Sequence, residues 1–310
     1  MRNEKIGLGV IGLGAMGSEL LEIAVAHPEF EVVLAADPHR EAPYGVPYTP
    51  DGRQVIEHRD VQAVYIGSPP ATHAGYAIEA MAAGKAVFCE KPLAVDLEAG
   101  ALMAGRAAEL GAVNAMNYTL SDRAAAVEVC RAVAAGEAGD VLGVDLRMLF
   151  PVWPRPFQRE AAWVAQREQG GFLREVASHY VFLTDRLLGP LTTANADIRY
   201  GTAAETAASV LLRSGDGIPV TMTGLVAAGP ETYEWTLYGS RRSYRITEWG
   251  RLFTGDADGW QEVALAGPWG DEGTRLSQFA RAIRGEKTTL ADFAAGLRVQ
   301  RVIESLLTAS

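Results

Sequence analysis

The chain has 310 residues, 48% of them hydrophobic and 21% charged, with a formal charge of −10. That composition excludes a disordered or collagen-like chain, and the acidic balance argues against a basic groove for nucleic acid. The length predicts two domains with a core that needs no disulfide staples. Cys89 and Cys130 allow at most one bridge and lack zinc or redox spacing, so they read as free thiols in a reducing compartment. Residues 1–26 superficially resemble a secretory signal, because Arg2 and Lys5 precede an uncharged run from Ile6 to Ser18 and Ala24-Val25-Ala26 mimics a cleavage site. The run is too rich in glycine for an apolar signal core, and Glu4 stands among the positive residues. No run approaches the roughly 20 apolar residues of a spanning helix. The expectation is a soluble, cytoplasmic protein.

The first half alternates strands and helices. Ile6 to Ile11 is an apolar run that suits one buried strand, and Gly12-Leu13-Gly14-Ala15-Met16-Gly17 follows it. Met16, Leu20, Ile23 and Val25-Ala26 then fall near helical spacing, up to a break at His27-Pro28. Phe30 to Ala36 is a second apolar, β-branched run, and it ends at Asp37, 20 residues after Gly17. Strand, G-x-G-x-x-G turn, helix, strand and terminal acid form the dinucleotide-binding fingerprint in its required context. Gly12 permits the tight turn, Gly14 admits a pyrophosphate to the backbone, and Gly17 lets helix and strand pack closely. The helix N-terminus offers N–H groups to the phosphates. Asp37 would take the adenosine ribose hydroxyls, which favours NAD, while His39 and Arg40 leave NADP open.

The alternation continues. Val61 to Gly67 is a third strand, followed by Ser68-Pro69-Pro70 and a helix from Ala74 to Ala83. Ala86 to Cys89 is a fourth strand, ending at Glu90-Lys91-Pro92. A helix from Asp96 to about Leu110 leads to a fifth strand, Ala112 to Asn117. Such alternation implies a parallel, doubly wound sheet whose ligands bind at the carboxyl ends of its strands. Asp37, Ser68-Pro69, Glu90-Lys91 and Asn117 stand at those ends.

After a helix from Arg123 to Ala135, strands follow without intervening helices. They are Val141 to Phe150, Leu191 to Arg199, Ala207 to Leu212, Val220 to Val226, Thr232 to Tyr238 and Tyr244 to Thr247. One helix, from about Phe172 to Leu188, interrupts them, and helices from Thr274 to Arg284 and Leu290 to Leu307 close the chain. The expectation is an α/β protein. A Rossmann domain (1–120) precedes an α+β domain (121–310) with a large, open-faced, mainly antiparallel sheet. Such a sheet needs its outer face covered, which predicts a homodimer or homotetramer.

Lys91 stands where a lysine can relay or hold a proton on a substrate oxygen. Glu175 and His179 are spaced i, i+4 on the helix after Gly170-Gly171, so they share a face. Lysine, glutamate and histidine together suit alcohol–ketone redox. Trp153, Arg155, Phe157 and Trp163 lead into that helix and suit a sugar face or an anionic group. Asn117, Tyr118 and Arg123 are further candidates, and His73 is expected to bond backbone near the cofactor. No His/Cys/Asp set has metal-ligand spacing and no nucleophile motif is present.

The glycine turn, Ser68-Pro69-Pro70-Ala71-Thr72-His73, and above all Gly84-Lys85-Ala86-Val87-Phe88-Cys89-Glu90-Lys91-Pro92 resemble the glucose–fructose oxidoreductase / inositol dehydrogenase / MocA family. Gly285-Glu286-Lys287 and Gly296-Leu297-Arg298-Val299 are similar to its closing helices. The resemblance implies NAD(P)-linked oxidation or reduction of sugars, cyclitols or related small molecules. It also implies a catalytic Lys91, His179 as acid/base, and a substrate hydroxyl held by Glu175. The family's acid before the histidine is usually aspartate, and a further aspartate often follows the histidine where Phe182 stands here; a less acidic, more apolar pocket is expected. The proline-rich stretch from His39 to Gly52 is too broken for the family's usual helix. Two other readings are a redox-assisted lyase or glycosidase with recycled NAD, and a non-catalytic ligand sensor on the same fold.

Overall fold

The protein was studied as a computed structural model, which describes residues 5–158 and 161–308. The chain divides into two compact units, Met1–Tyr118 with Gly270–Leu297, and Thr119–Trp269 with Arg298–Ser310.

In the first unit, β1 (Ile6–Ile11), α1 (Ala15–Ala26), β2 (Phe30–Ala36), β3 (Tyr48–Thr49), α2 (Gly52–Glu57), β4 (Ala63–Ile66), α3 (His73–Ala82), β5 (Ala86–Cys89), α4 (Leu97–Leu110) and β6 (Asn114–Met116) follow in turn. The strands form one parallel sheet in the order β3-β2-β1-β4-β5-β6. Every residue of β1, β4 and β5 is buried, as expected for central strands covered on both faces. Six strands form where five were expected. The additional one, β3, has two residues and pairs with Ala35 and Ala36. The proline-rich stretch carries no helix before Asp51, which caps the six-residue α2 by accepting the Arg53 N–H.

In the second unit come α5 (Ala124–Ala134), β7 (Val141–Phe150), a helix from residue 173 to 188 whose regular part is α6 (Ser178–Leu188), β8 (Leu191–Tyr200), β9 (Glu205–Ser214), β10 (Pro219–Val226), β11 (Thr232–Gly239), β12 (Ser243–Thr247), β13 (Arg251–Asp256) and β14 (Gly259–Val263). The eight-stranded sheet runs β14-β13-β12-β11-β7-β10-β9-β8. Its pairs are antiparallel except β7 with β10. Two strands beyond those expected, β13 and β14, extend it as a hairpin. Alternation is regular: Val144, Leu146, Met148 and Phe150 of β7 are buried with Met222 and Trp235 of its neighbours and Ile246 of β12 beyond. The Trp235 indole donates to Thr184 on α6 at 3.0 Å, so α6 lies on this face. A Cβ on Gly224 would meet the Phe172 ring at 2.4 Å, and the bare glycine lets that ring reach the sheet. The opposite face exposes Arg147, Ser209, Thr221, Thr223 and Leu225.

Two helices close the chain, α7 (Glu272–Ile283) and α8 (Phe293–Thr308). The expectation that 121–310 form the second domain needs correction, because Gly270–Leu297 folds with the first unit. Its apolar residues explain the return. Leu276, Phe279 and Ala280 of α7 enter the first unit's core, and Phe279 stacks on Phe30 with 6.3 Å between centroids. A bridge between Met116 and Ala291 extends the contact at β6.

Candidate active site

In the first unit, the carboxyl ends of β1, β2, β4, β5 and β6 lie along one edge because the sheet is parallel. The expected cofactor residues follow from those ends. Gly12 has φ +94°, and a Cβ there would lie 2.4 Å from the Ser68 nitrogen. At Gly17 a Cβ would lie 1.9 Å from the Gly12 carbonyl oxygen, so the α1–β1 approach requires glycine. Gly14 differs, since no described atom lies within 4 Å of its ideal Cβ. Gly14 is also the N-cap of α1, no side chain caps that end, and the first turn holds no acid. Ala15 is exposed and Met16 half-buried beside it. An uncapped helix end with open room before it fits a phosphate group.

Leu13 is buried, and its N–H donates to Asp37 Oδ2 at 2.8 Å. Asp37 Oδ1 accepts the His39 and Arg40 N–H groups at 2.8 and 3.1 Å. The Asp37 carboxylate thus braces the glycine turn against the end of β2.

Glu90 and Asn117 stand at the expected cofactor edge with polar atoms turned inward, and His73 bonds backbone. One His73 nitrogen faces the Pro92 carbonyl and the other the Ser68 carbonyl, both at 2.8 Å. Burial pushes its pKa down, and the two carbonyls pull it back up. The Ser68 hydroxyl meets Thr72 at 2.6 Å, and the Pro69 carbonyl accepts the Thr72 N–H. Glu90 Oε1 accepts the Tyr65 hydroxyl at 2.7 Å and the Asn117 amide at 2.5 Å. Asn117 Oδ1 in turn accepts from Arg275 Nε at 2.7 Å, and Arg275, fully buried on α7, pairs with Glu272. Burial raises the Glu90 pKa, while Lys91, Tyr65 and Asn117 oppose the rise. These contacts fix the backbone on both sides of Lys91, which is half-exposed at the end of β5 and followed by a cis bond to Pro92.

In the second unit, the helix after Gly170-Gly171 begins with a π turn, Leu173–Ala177, before α6. Such turns occur often at functional sites. Glu175 and His179 are both buried. Glu175 Oε2 accepts the Gln158 amide at 2.9 Å, and Gln158 Oε1 accepts from Arg155 Nε at 3.0 Å. Arg155 also reaches the Tyr233 hydroxyl and lies over the Phe157 ring, 4.7 Å from its centroid. His179 Nδ1 accepts the Thr119 N–H at 3.1 Å. Its ring stands edge-to-face with Trp249 at 5.4 Å, and Tyr180 and Tyr233 each pack on Trp249 at 5.1 Å. Trp249 holds φ +65° in the β12–β13 turn. Glu175, His179 and Arg155 therefore share one polar and aromatic cluster. Trp153 lies against Phe150 and Phe172 and donates to the Val164 carbonyl. Trp163 is half-buried, and its carbonyl accepts the Gln166 N–H. Phe182 is buried, in line with the reduced acidic character expected there. Gln158, Tyr180, Tyr233 and Trp249 were not found from sequence; the only signal was the aromatic Glu248-Trp249-Gly250 turn between two strands.

Glu205 was also missed. At the start of β9 it is buried against Gly171 and near the Phe172 backbone. A Cβ on Gly171, where φ is +91°, would strike that carboxylate. Burial raises the Glu205 pKa to about 7. A carboxyl pKa raised on folding contributes stability below its unfolded value and loses it as pH rises through 7. Glu205→Gln is therefore expected to gain roughly 3 kcal/mol on the wild type between about pH 5 and pH 8. Urea unfolding at both pH values tests this; an equal difference at both would contradict it.

Among the described residues no group of three or more His, Cys, Asp and Glu side chains could hold a metal ion, and no helix is long and apolar enough to cross a membrane. The cysteines are unpaired, and burial raises both thiols.

A glycine-rich turn at the switch point of a doubly wound parallel sheet, with an open-faced sheet unit following, defines a dinucleotide-binding oxidoreductase architecture. Comparison with known families agrees. Residues 6–118 match the oxidoreductase family with an NAD-binding Rossmann fold, and residues 126–245 match the GFO/IDH/MocA C-terminal domain. The chain belongs to the GFO/IDH/MocA family. It is 33% identical over 199 residues to a dTDP-3,4-didehydro-2,6-dideoxy-alpha-D-glucose 3-reductase of Streptomyces violaceoruber, across 62% of this chain and 56% of the reductase. It is 40% identical over 100 residues to an inositol 2-dehydrogenase of Pseudomonas savastanoi pv. phaseolicola, across 29% of this chain and 30% of that enzyme. The chain thus spans little more than half of the reductase and under a third of the dehydrogenase. A 3-ketoreductase from Actinomadura kijaniata, solved with NADP and TDP-benzene, shares the fold at TM-score 0.83 and 21% identity, covering 99% of this chain and 98% of that one.

Proposed function

We propose that this protein is an NAD(P)-dependent oxidoreductase acting on a hydroxyl or carbonyl carbon of a sugar, cyclitol or related small molecule. The observation that carries the reading is the carboxyl edge of the parallel sheet, where the uncapped α1 N-terminus, Asp37 and Lys91 follow β1, β2 and β5. Gly12 to Gly17 would hold the pyrophosphate, and Asp37 the adenosine ribose, with Arg40 beside it for a 2′-phosphate. The nicotinamide supplies or accepts a hydride when bound. The family resemblance gives Lys91 and His179 the proton of the reacting oxygen and Glu175 a neighbouring substrate group.

The extent of the matches favours a keto-sugar over a cyclitol. A match of 199 residues must reach the second unit, whereas one of 100 residues is short enough to lie within the first. The second unit supplies Arg155, Glu175 and His179, and a guanidinium beside exposed Phe157 suits a sugar carrying an anionic group. A cytoplasmic location and a homo-oligomer joined through the exposed face around Thr221 and Thr223 complete the proposal.

Absorbance of reduced nicotinamide, followed with NAD⁺ or NADP⁺ and a panel of sugars, cyclitols and nucleotide sugars, tests it in both directions. Turnover is expected with at least one compound, with keto-sugars reduced faster than cyclitols are oxidised. No turnover in either direction, together with no binding of either cofactor, would refute it.

A further inference from the structure

We infer that Gln158 is a positioning residue, whose side-chain amide holds the Glu175 carboxylate in the direction in which it meets the substrate. The inference rests on the functional reading above, which gives Glu175 a substrate group, and deepens it. Both residues belong to the second unit. Gln158 ends the short turn Pro156–Gln158, and Glu175 stands in the π turn Leu173–Ala177.

The Gln158 amide has one workable orientation. A guanidinium can only donate, so the Gln158 atom 3.0 Å from Arg155 Nε is the carbonyl oxygen. The amide nitrogen is thereby turned to Glu175 Oε2, at 2.9 Å. A flipped amide would set donor against donor at Arg155 and acceptor against acceptor at Glu175, so each contact enforces the other. Little water competes for either bond, because Gln158 is 8% and Glu175 5% exposed.

A group that positions another must itself be anchored. The Gln158 N–H donates to the Arg155 carbonyl at 2.9 Å, so backbone and side chain both tie residues 155 and 158 together. Arg155 lies over the Phe157 and Trp153 rings, 4.7 and 5.7 Å from their centroids. It also donates to the Tyr233 hydroxyl at 3.4 Å, and that hydroxyl bonds Glu231 just before β11. A chain of polar contacts thus runs from Glu231 through Tyr233, Arg155 and Gln158 to Glu175.

Glu175 has a particular need of such a hold. A glutamate arm has one more rotatable bond than an aspartate arm, and its carboxylate can point in more directions. Gln158 removes that freedom at Oε2. A carboxylate fixed before the substrate arrives loses less conformational entropy when the substrate binds, so the benefit falls on substrate affinity rather than on hydride transfer.

Two measurements on the full protein test this. Both use Gln158→Met, which keeps the length of glutamine and has no N–H to donate. The first is steady-state kinetics with the panel sugar or cyclitol that turns over fastest. KM for that compound is expected to rise at least about tenfold, with kcat within about threefold and dinucleotide affinity within about twofold of the wild type. An unchanged KM, or a loss of kcat at unchanged KM, would overturn the inference.

The second is a double-mutant cycle in Tm with Glu175→Met, which needs no turnover. Gln158→Met leaves a buried carboxylate without its donor and is expected to lower Tm by about 4 °C in the wild-type background. In the Glu175→Met background there is no carboxylate to strand, and the loss is expected to be less than half as large. An equal loss in both backgrounds would overturn the inference. Absence of nicotinamide-linked turnover with every panel compound would instead refute the functional reading, and the Tm cycle would then decide by itself whether Gln158 holds Glu175.

Discussion

Lys91→Met is expected to lower turnover by roughly 10²–10⁴-fold while leaving cofactor affinity within about threefold of the wild type. Methionine keeps the length and apolar stem of lysine but has no nitrogen to hold a proton. Other groups also hold the surrounding backbone. Glu90, Asn117 and Arg275 form one buried chain of hydrogen bonds, and His73 fixes the Ser68 and Pro92 carbonyls. The elements proposed to hold the dinucleotide are the glycine turn and Asp37, which belong to β1 and β2. Loss of kcat with unchanged cofactor binding therefore separates a chemical role for Lys91 from a structural one. Near-normal kcat would remove Lys91 from the mechanism.

The glycines of the turn make a second, contrasting pair of expectations. Gly17→Ala places a Cβ 1.9 Å from the Gly12 oxygen, so α1 must move away from β1. Overpacking of this kind costs about 2–3 kcal/mol, or roughly 4–10 °C in Tm for a chain of this size. Gly14→Ala meets no described atom within 4 Å, and φ −66° at that position suits any residue. Its Tm should stay within about 1 °C of the wild type, while affinity for the dinucleotide falls at least about tenfold. Thermal unfolding and a cofactor titration on both variants check this. Unchanged cofactor affinity in a folded Gly14→Ala protein would show that Gly14 does not face the phosphates.

Local signals carried the first unit and the helices of the second. The apolar runs of β1, β2, β4 and β5, the spacing of the glycine turn and the Glu-Lys-Pro string are all contiguous, so the parallel sheet and the place of Lys91 were readable. The return of Gly270–Leu297 to the first unit was not. Leu276 and Phe279 repeat with ordinary helical spacing, and nothing in that spacing records which core they enter. β3 has only two residues, too few for any periodicity, and β14 is exposed along most of its length. The π turn was hidden because it differs from an α turn in one hydrogen bond rather than in composition. Glu175 and His179 were recognised by spacing and resemblance. Their surroundings were not, since Gln158, Tyr233 and Trp249 come from three separate loops and strands and meet only in the folded unit. For Glu90 and Asn117 only the position was readable. Their position at strand ends suggested ligand contact, but Arg275 from the returning segment binds them into the interior.

The central claim is that hydride passes between a substrate carbon and the nicotinamide. The most direct test takes a panel compound that turns over, deuterated at the reacting carbon, and follows the label by mass spectrometry. Oxidation with NAD⁺ or NADP⁺ should place the deuterium on the released reduced cofactor in proportion to product formed. Deuterium retained in the carbohydrate product, or product formed with no labelled cofactor released, would contradict the account.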